Sequence, residues 1–274
     1  MGLRIEHFKL ISYNGDAAVV EIPLHVKTIS ERAFNGWRGA LRNLKKVILH
    51  DNITSIGKSA FHYCDGLQEI VIPDKIVHLK HDTFFRCESL SKVTLPAGLK
   101  KIDGGVFAYC SSLKEIVLPS GLAMLGSGAF QSTAIEEIVL PDAIMEIKAS
   151  TFMACENLKT ITFPKNLTTI LKEAFYHCNS LKEVVLPDRV LKINESVFSG
   201  CKNLERVVVP SGVTQIAKMT FALCPKLNCV ELPDTVVDIS DEAFWRSDNV
   251  VIKAKSGSYA IQYAKDNNLK YEEI

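Results

Sequence analysis
Apolar and polar positions along the chain follow one pattern, L-x-x-o-x-o-P-x-x-o-x-x-o-x-x-x-A-F-x-x-C with o apolar, which recurs about ten times. Prolines mark it at Pro23, Pro73, Pro96, Pro119, Pro141, Pro164, Pro187, Pro210 and Pro233, with His50 in the remaining slot. From Pro23 to Pro233 the register runs through nine periods of 23 residues, with four residues inserted between Phe34 and Leu44 and one deleted between Phe130 and Ile135. A fixed period of this size is the mark of a solenoid, in which no unit can bury its apolar face alone. Within a unit the alternation predicts one short parallel strand. Around Leu181 to Leu186, Val184 and Leu186 share one face while Glu183 and Val185 share the other. Pro187 then ends the strand, because proline cannot donate to a ladder.

Phenylalanine holds one slot in every unit, at Phe34, Phe61, Phe84, Phe107, Phe130, Phe152, Phe175, Phe198, Phe221 and Phe244. A spaced aromatic of this kind reads as core, each ring gaining about 1.5 to 3 kcal/mol on burial. Cys64, Cys87, Cys110, Cys155, Cys178, Cys201 and Cys224 follow three residues behind, with Thr133 in that place in the shortened unit. Their spacing predicts a ladder of small buried apolar groups, since metal sites draw ligands from close in sequence. Cys229 stands apart, on a strand position expected to face solvent. Of the histidines only His78 and His81 lie close together, and their unit offers no obvious third ligand, so they read as surface residues. No metal site and no cofactor are expected.

Both ends carry capping signals. Asn14-Gly15, between the apolar stretches 8–13 and 16–22, predicts a tight hairpin over residues 1–22. At the other end, Ser258 is placed to cap a short helix with Tyr259 and Tyr263 on one face and Asn267-Asn268 as its stop. The expected organisation is one continuous structural domain: a capping hairpin over 1–22, about ten repeats over 23–252, and a C-terminal cap over 253–274. With both edges covered, a monomer is expected.

The proline after the strand and the A-F-x-x-C block resemble the BspA-like leucine-rich repeat family, and the resemblance covers nearly the whole chain. It implies an α/β repeat solenoid, a leucine-rich-repeat right-handed superhelix with one parallel β-sheet, an N-terminal β-hairpin cap and a C-terminal helical cap. It also implies a bacterial protein of the cell surface or secreted, engaged in adhesion or host interaction. A native start at Met1 would instead place the chain in the cytoplasm. The chain departs from other leucine-rich repeats at the asparagine ladder position, which holds Gly98, Gly121, Ala143, Asn166, Arg189 and Gly212.

Composition narrows the partners. A net charge of +1 gives no field to draw nucleic acid or anionic lipid. No apolar run approaches the roughly 18 residues that cross a bilayer, so no membrane insertion is expected. No phosphate loop, G-x-S-x-G or H-E-x-x-H occurs, and the acidic residues recur by repeat position without forming a distinct acid and base pair. The expected activity is therefore non-catalytic binding of a protein or glycan ligand. An intracellular protein–protein interaction scaffold is the alternative, and an enzyme with a cryptic site the remote one.

The binding surface expected is the strand face turned away from the core. One row runs Val71, Thr94, Val117, Val139, Thr162, Val185 and Val208; beside it lie Glu69, Lys92, Glu115, Glu137, Thr160, Glu183 and Arg206. Neighbours about 4.8 Å apart predict an alternating charge ladder over Lys46, Glu69, Lys92 and Glu115. The insertion between Phe34 and Leu44 adds Trp37 and Arg38, residue types enriched in interface hot spots.

Overall fold
The computed structural model describes residues 2–274. Two compact units make up the chain, one running through Ala143 and one over Ile144–Ile274, and each is a β-solenoid of parallel strands. Each rung turns at its proline. The carbonyl of Pro73 accepts the Ile76 N–H at 3.0 Å, and the same turn recurs at Pro96, Pro119, Pro187 and Pro210, returning an apolar residue to the core. His50 makes the same turn, its carbonyl accepting the Ile53 N–H at 3.0 Å, and its ring adds two contacts: Nε2 lies 3.0 Å from the Pro23 carbonyl and Nδ1 accepts the Asn52 N–H at 3.2 Å.

The alternation predicts the three-residue strands. In the first unit Val19–Glu21, Lys46–Ile48, Glu69–Val71 and Lys92–Thr94 pair in register. In the second, Glu183–Val185, Arg206–Val208, Cys229–Glu231 and Val251–Ala254 do the same. After each proline turn comes a further strand of two residues that the hydrophobic pattern does not separate, such as His78–Leu79, Lys101–Ile102 and Met124–Leu125. Only its second residue enters the core, and a single apolar position carries no alternation to read.

The phenylalanines stack. Centroids of Phe34, Phe61, Phe84, Phe107 and Phe130 lie 4.9 to 5.6 Å apart with planes within 13° of parallel. In the second unit Phe152, Phe175, Phe198, Phe221 and Phe244 stack at 5.4 to 5.9 Å. Tyr13 closes the first stack at 5.4 Å and Tyr263 the second at 6.4 Å, each tilted against the last ring.

Both ends differ in detail from the expectation. The N-terminal hairpin joins Leu3–Glu6 to Lys9–Tyr13, and its turn is His7-Phe8, both at positive φ (44° and 63°) as a type I′ turn requires. Asn14-Gly15 does not form that turn. The stretch after it supplies Val19–Glu21, which pairs in parallel with Lys46–Ile48 as the first rung of the long ladder. Burial of Val20 and Ile22 in the repeat core favours this placement over a local hairpin. At the C-terminus the helix spans Tyr259–Asp266, but the Ser258 side chain makes no capping bond and Tyr259 lies exposed. Ala260, Ile261, Tyr263 and Ala264 are the buried face, and a strand, Lys270–Glu273, follows and pairs with Val251–Ala254.

Candidate protein-binding surface
The three-residue strands turn their middle residues inward and their outer residues to solvent. Val71, Thr94, Val117, Val139, Thr162 and Val185 are exposed, while Val208 is half-buried. In the neighbouring row Lys92, Glu115, Glu137, Thr160 and Glu183 are exposed and Glu69 and Arg206 half-buried. Val117 reaches 86 % exposure.

Charge pairing along this face is local. Lys46 Nζ lies 2.5 Å from Glu69 Oε1, and that contact holds the Glu69 carboxyl below its usual range. The predicted ladder forms one direct ion pair, this first one: among the described residues neither Lys92 nor Glu115 makes another, although the Lys92 charge also helps to lower the Glu69 carboxyl, and Glu115–Val117 takes no strand conformation. Arg206 reaches Glu231 at 2.7 Å and also pairs with Glu183, a three-charge group across three strands. Its guanidinium is held further toward the charged form by both carboxylates.

The long-strand ladder also has gaps. Lys92–Thr94 is the last strand of its sheet, and Thr160–Thr162 is not hydrogen-bonded to Glu183–Val185. A recess of about 520 Å³ lies between residues 92–97 and 115–119, and one of about 580 Å³ between residues 159–163 and 180–185.

The insertion forms one 3-10 turn over Trp37–Gly39, with Trp37 53 % exposed and edge-on to Tyr63 at 4.8 Å. From there a column of ring contacts continues. Arg86 lies 5.5 Å over Tyr63 and 5.0 Å over Tyr109, and His62 stacks on Phe85 at 5.0 Å. Sequence reasoning found Trp37 and Arg38 but missed this column. Its signal was present in the second position after the repeat phenylalanine, which holds Tyr63, Arg86 and Tyr109 in three successive rungs here but Ala154, His177, Gly200, Leu223 and Arg246 in later ones.

His78 and His81 are not simple surface residues. Their Nε2 atoms lie 2.8 and 3.8 Å from the same oxygen of Asp103, and Lys101 Nζ sits 3.1 Å from its other oxygen. Asp103 is buried. Among the described residues no group of three or more His, Cys, Asp or Glu is arranged to hold a metal ion, and no helix is long and apolar enough to cross a membrane. Cys229 is half-buried, and that burial pushes its thiol pKa up.

A family model for the BspA type leucine rich repeat region matches six copies over residues 27–152 and 123–251. The chain is similar in fold to a leucine rich cell surface protein from Faecalibacterium prausnitzii A2-165, with 22 % identity, 97 % of this chain and 89 % of that chain covered, and a TM-score of 0.54. The pneumococcal vaccine antigen PcpA aligns at 19 % identity over 97 % of this chain and 83 % of its own, with a TM-score of 0.55. A leucine-rich repeat protein from Bacteroides ovatus ATCC 8483 aligns at 22 % identity over 90 % and 79 %, with a TM-score of 0.53. No curated protein matches the chain.

Proposed function
The chain belongs to the BspA-type leucine-rich repeat family, and from that premise we propose that it is a binding module that meets a protein partner on the exposed face of its three-residue strands. Proteins of this family generally mediate protein binding. The observation that carries the surface assignment is the uncovered valines on the strand face of each unit: Val71, Val117 and Val139 are 60, 86 and 65 % exposed in the first unit, and Val185 is 55 % exposed in the second. β-branched residues suit strands, yet apolar side chains in a row gain about 25 cal/mol per Å² only when something removes them from water. The charged row beside them supplies orientation, with Glu183, Arg206 and Glu231 as a fixed group of alternating sign.

The finer reading is adhesion or host interaction at a cell surface. Support comes from the Faecalibacterium prausnitzii protein, described as a cell surface protein, and from the pneumococcal protein, described as a vaccine antigen. The test is capture from host-cell-surface and extracellular-matrix extracts, comparing wild type with a variant carrying Val117→Lys, Val139→Lys and Val185→Lys. These side chains point away from the phenylalanine stacks, so the variant should fold. Loss of a captured partner in the folded variant supports the strand face. Equal capture by both sinks that assignment, and no capture by wild type sinks the adhesion reading.

A further inference from the structure
The turns that follow the phenylalanines of the first unit carry a second surface, apart from the three-residue strands. Their backbone amides already serve the solenoid: the N–H of Gly36 donates to the His62 carbonyl at 2.9 Å, that of Tyr63 to Phe85 at 2.9 Å, that of Arg86 to Ala108 at 2.9 Å and that of Tyr109 to Gln131 at 2.7 Å. A ligand on this surface therefore meets side chains. Arg86 lies over the rings of Tyr63 and Tyr109, one in the rung before it and one in the rung after, and Trp37 extends the column beyond Tyr63. The rings hold the guanidinium in place, yet among the described residues its N–H donors make no hydrogen bond and no ion pair. The Tyr109 hydroxyl accepts from the Gln131 amide at 3.1 Å and keeps its own proton to donate.

Charge sharpens the choice of ligand. Between Glu31 and Asp51 the chain carries Arg32, Arg38, Arg42, Lys45 and Lys46 and no acidic residue. Lys46 is paired with Glu69, but Arg32, Arg38 and Arg42 form no ion pair among the described residues. Arg42 folds back against Gly39, in the same turn as Trp37. Arg32 and Arg86 both act on His62, and Arg42 and Arg86 both act on Asp65, so arginines of two rungs converge on the turn that holds Tyr63. The carboxylates near them, Asp65, Asp82 and Glu88, pair with none of them among the described residues, and one oxygen of Asp65 is buried. An unpaired guanidinium fork complements a planar oxyanion, which it meets with two parallel N–H bonds. Exposed Trp37 and the tyrosines complement a ligand with an apolar face and a polar rim. A pyranose ring bearing a carboxylate has both. An added peptide strand would need backbone partners that these turns have already used, and single-stranded nucleic acid would need a field along its whole backbone, against a net charge of +1. We propose that the column of Trp37, Tyr63, Arg86 and Tyr109, with Arg42 beside it, binds a glycan rich in uronic acid, carboxylates meeting the guanidiniums and a sugar C–H face meeting Trp37. This site goes beyond the strand-face reading and does not rest on it.

The test is calorimetry on the full chain with a hyaluronan oligosaccharide, whose only charges are uronate carboxylates. Three probes accompany it: the same oligosaccharide with its carboxyls reduced to alcohols, a short polyglutamate peptide and an oligothymidylate. Two variants are compared with wild type, Arg86→Lys, which keeps the charge and the aliphatic stem but loses the fork, and Trp37→Ala, which alters an exposed side chain of the insertion. Thermal unfolding confirms that both fold. The expected result is binding of the glycan by wild type and a loss of roughly tenfold or more for the reduced glycan and for each variant. No binding at roughly millimolar concentration, or equal binding of the reduced glycan, overturns the proposal. Full retention of binding by either variant overturns the site. Tighter binding of the peptide or of oligothymidylate than of the glycan overturns the ligand class. The triple-lysine variant of the strand face should bind the glycan no more weakly than wild type; a loss there would move the glycan to the strand face and overturn a separate site, whereas capture of a protein partner without any glycan binding leaves the strand-face reading intact and removes only this one.

Discussion

The thiol of Cys87 donates a hydrogen bond to the backbone carbonyl of Phe61 at 3.1 Å. The same contact, at 3.2 Å, joins Cys64 to Phe34, Cys110 to Phe84, Cys178 to Phe152, Cys201 to Phe175 and Cys224 to Phe198. In the last rung Ser247 takes the slot and donates to the Phe221 carbonyl at 2.7 Å. The slot therefore asks for a small side chain that donates, and apolar filling describes only half of it.

Because a net hydrogen bond contributes about 0.5 to 1.5 kcal/mol, Cys110→Ser should lie closer to wild type than Cys110→Ala by roughly that amount. Urea unfolding of the two variants checks it. If alanine is tolerated as well as serine, the cysteines act as filler and the donor is incidental.

Thiol reactivity follows from the same burial. Desolvation pushes the thiols of Cys87, Cys110, Cys178 and Cys201 well up, and that of Cys224 up to about 12. The thiolate is the nucleophile, so these groups should be inert. Iodoacetamide at mildly alkaline pH is expected to label the folded chain at Cys229 alone, slowly because its own thiol is raised, and all eight cysteines after unfolding. Mass spectrometry reads the sites, and fast labelling at any residue of the ladder contradicts the packing described.

Asp103 gives a pH signature. Burial alone would push its carboxyl up, but the close approach of His78 and Lys101, at 2.8 and 3.1 Å, outweighs that and holds it below its ordinary value. A carboxyl depressed in the folded state contributes stability above the unfolded-state pKa, and that contribution is lost as pH falls through the folded-state value. Asp103→Asn should therefore lower Tm at neutral pH, with the difference from wild type shrinking as pH drops below the usual carboxylate range. A Tm difference that stays constant with pH would mean that the carboxylate is not held by its cationic neighbours.

Much of this was legible because a repeat reads its own register. The phenylalanine slot, the proline turns and the alternation that leaves Val117 and Val139 exposed all follow from period and pattern. The turn of the N-terminal hairpin was not legible. His7-Phe8 has no turn composition, while Asn14-Gly15 has it and is overruled by the pairing of Val19–Glu21 with Lys46–Ile48. The Asp103 cluster was hidden for another reason: its histidines come from the preceding rung and become its neighbours only once rungs stack. The gaps left no trace either, since Thr160–Thr162 and Glu115–Val117 fit the same pattern as strands that pair.

Arg86 occupies a backbone slot that is left-handed in rung after rung, at φ 59° for Tyr63, 56° for Arg86, 61° for Tyr109 and 75° for Gly200. An L-residue there costs about 1 to 2 kcal/mol, which glycine avoids. Against that cost Arg86 makes two contacts with tyrosine faces, each contributing about 0.5 to 1 kcal/mol when exposed. The two effects are of similar size, so the substitutions separate them. Arg86→Ala loses both contacts and keeps the strained backbone, and should destabilise by about 1 to 2 kcal/mol. Arg86→Gly loses the same contacts but relieves the backbone, and should lie near wild type, roughly 1 kcal/mol above the alanine variant. Chemical denaturation midpoints decide: equal stability of the two variants would show that the slot carries no strain, and a glycine variant well below wild type would show that the tyrosine contacts outweigh it.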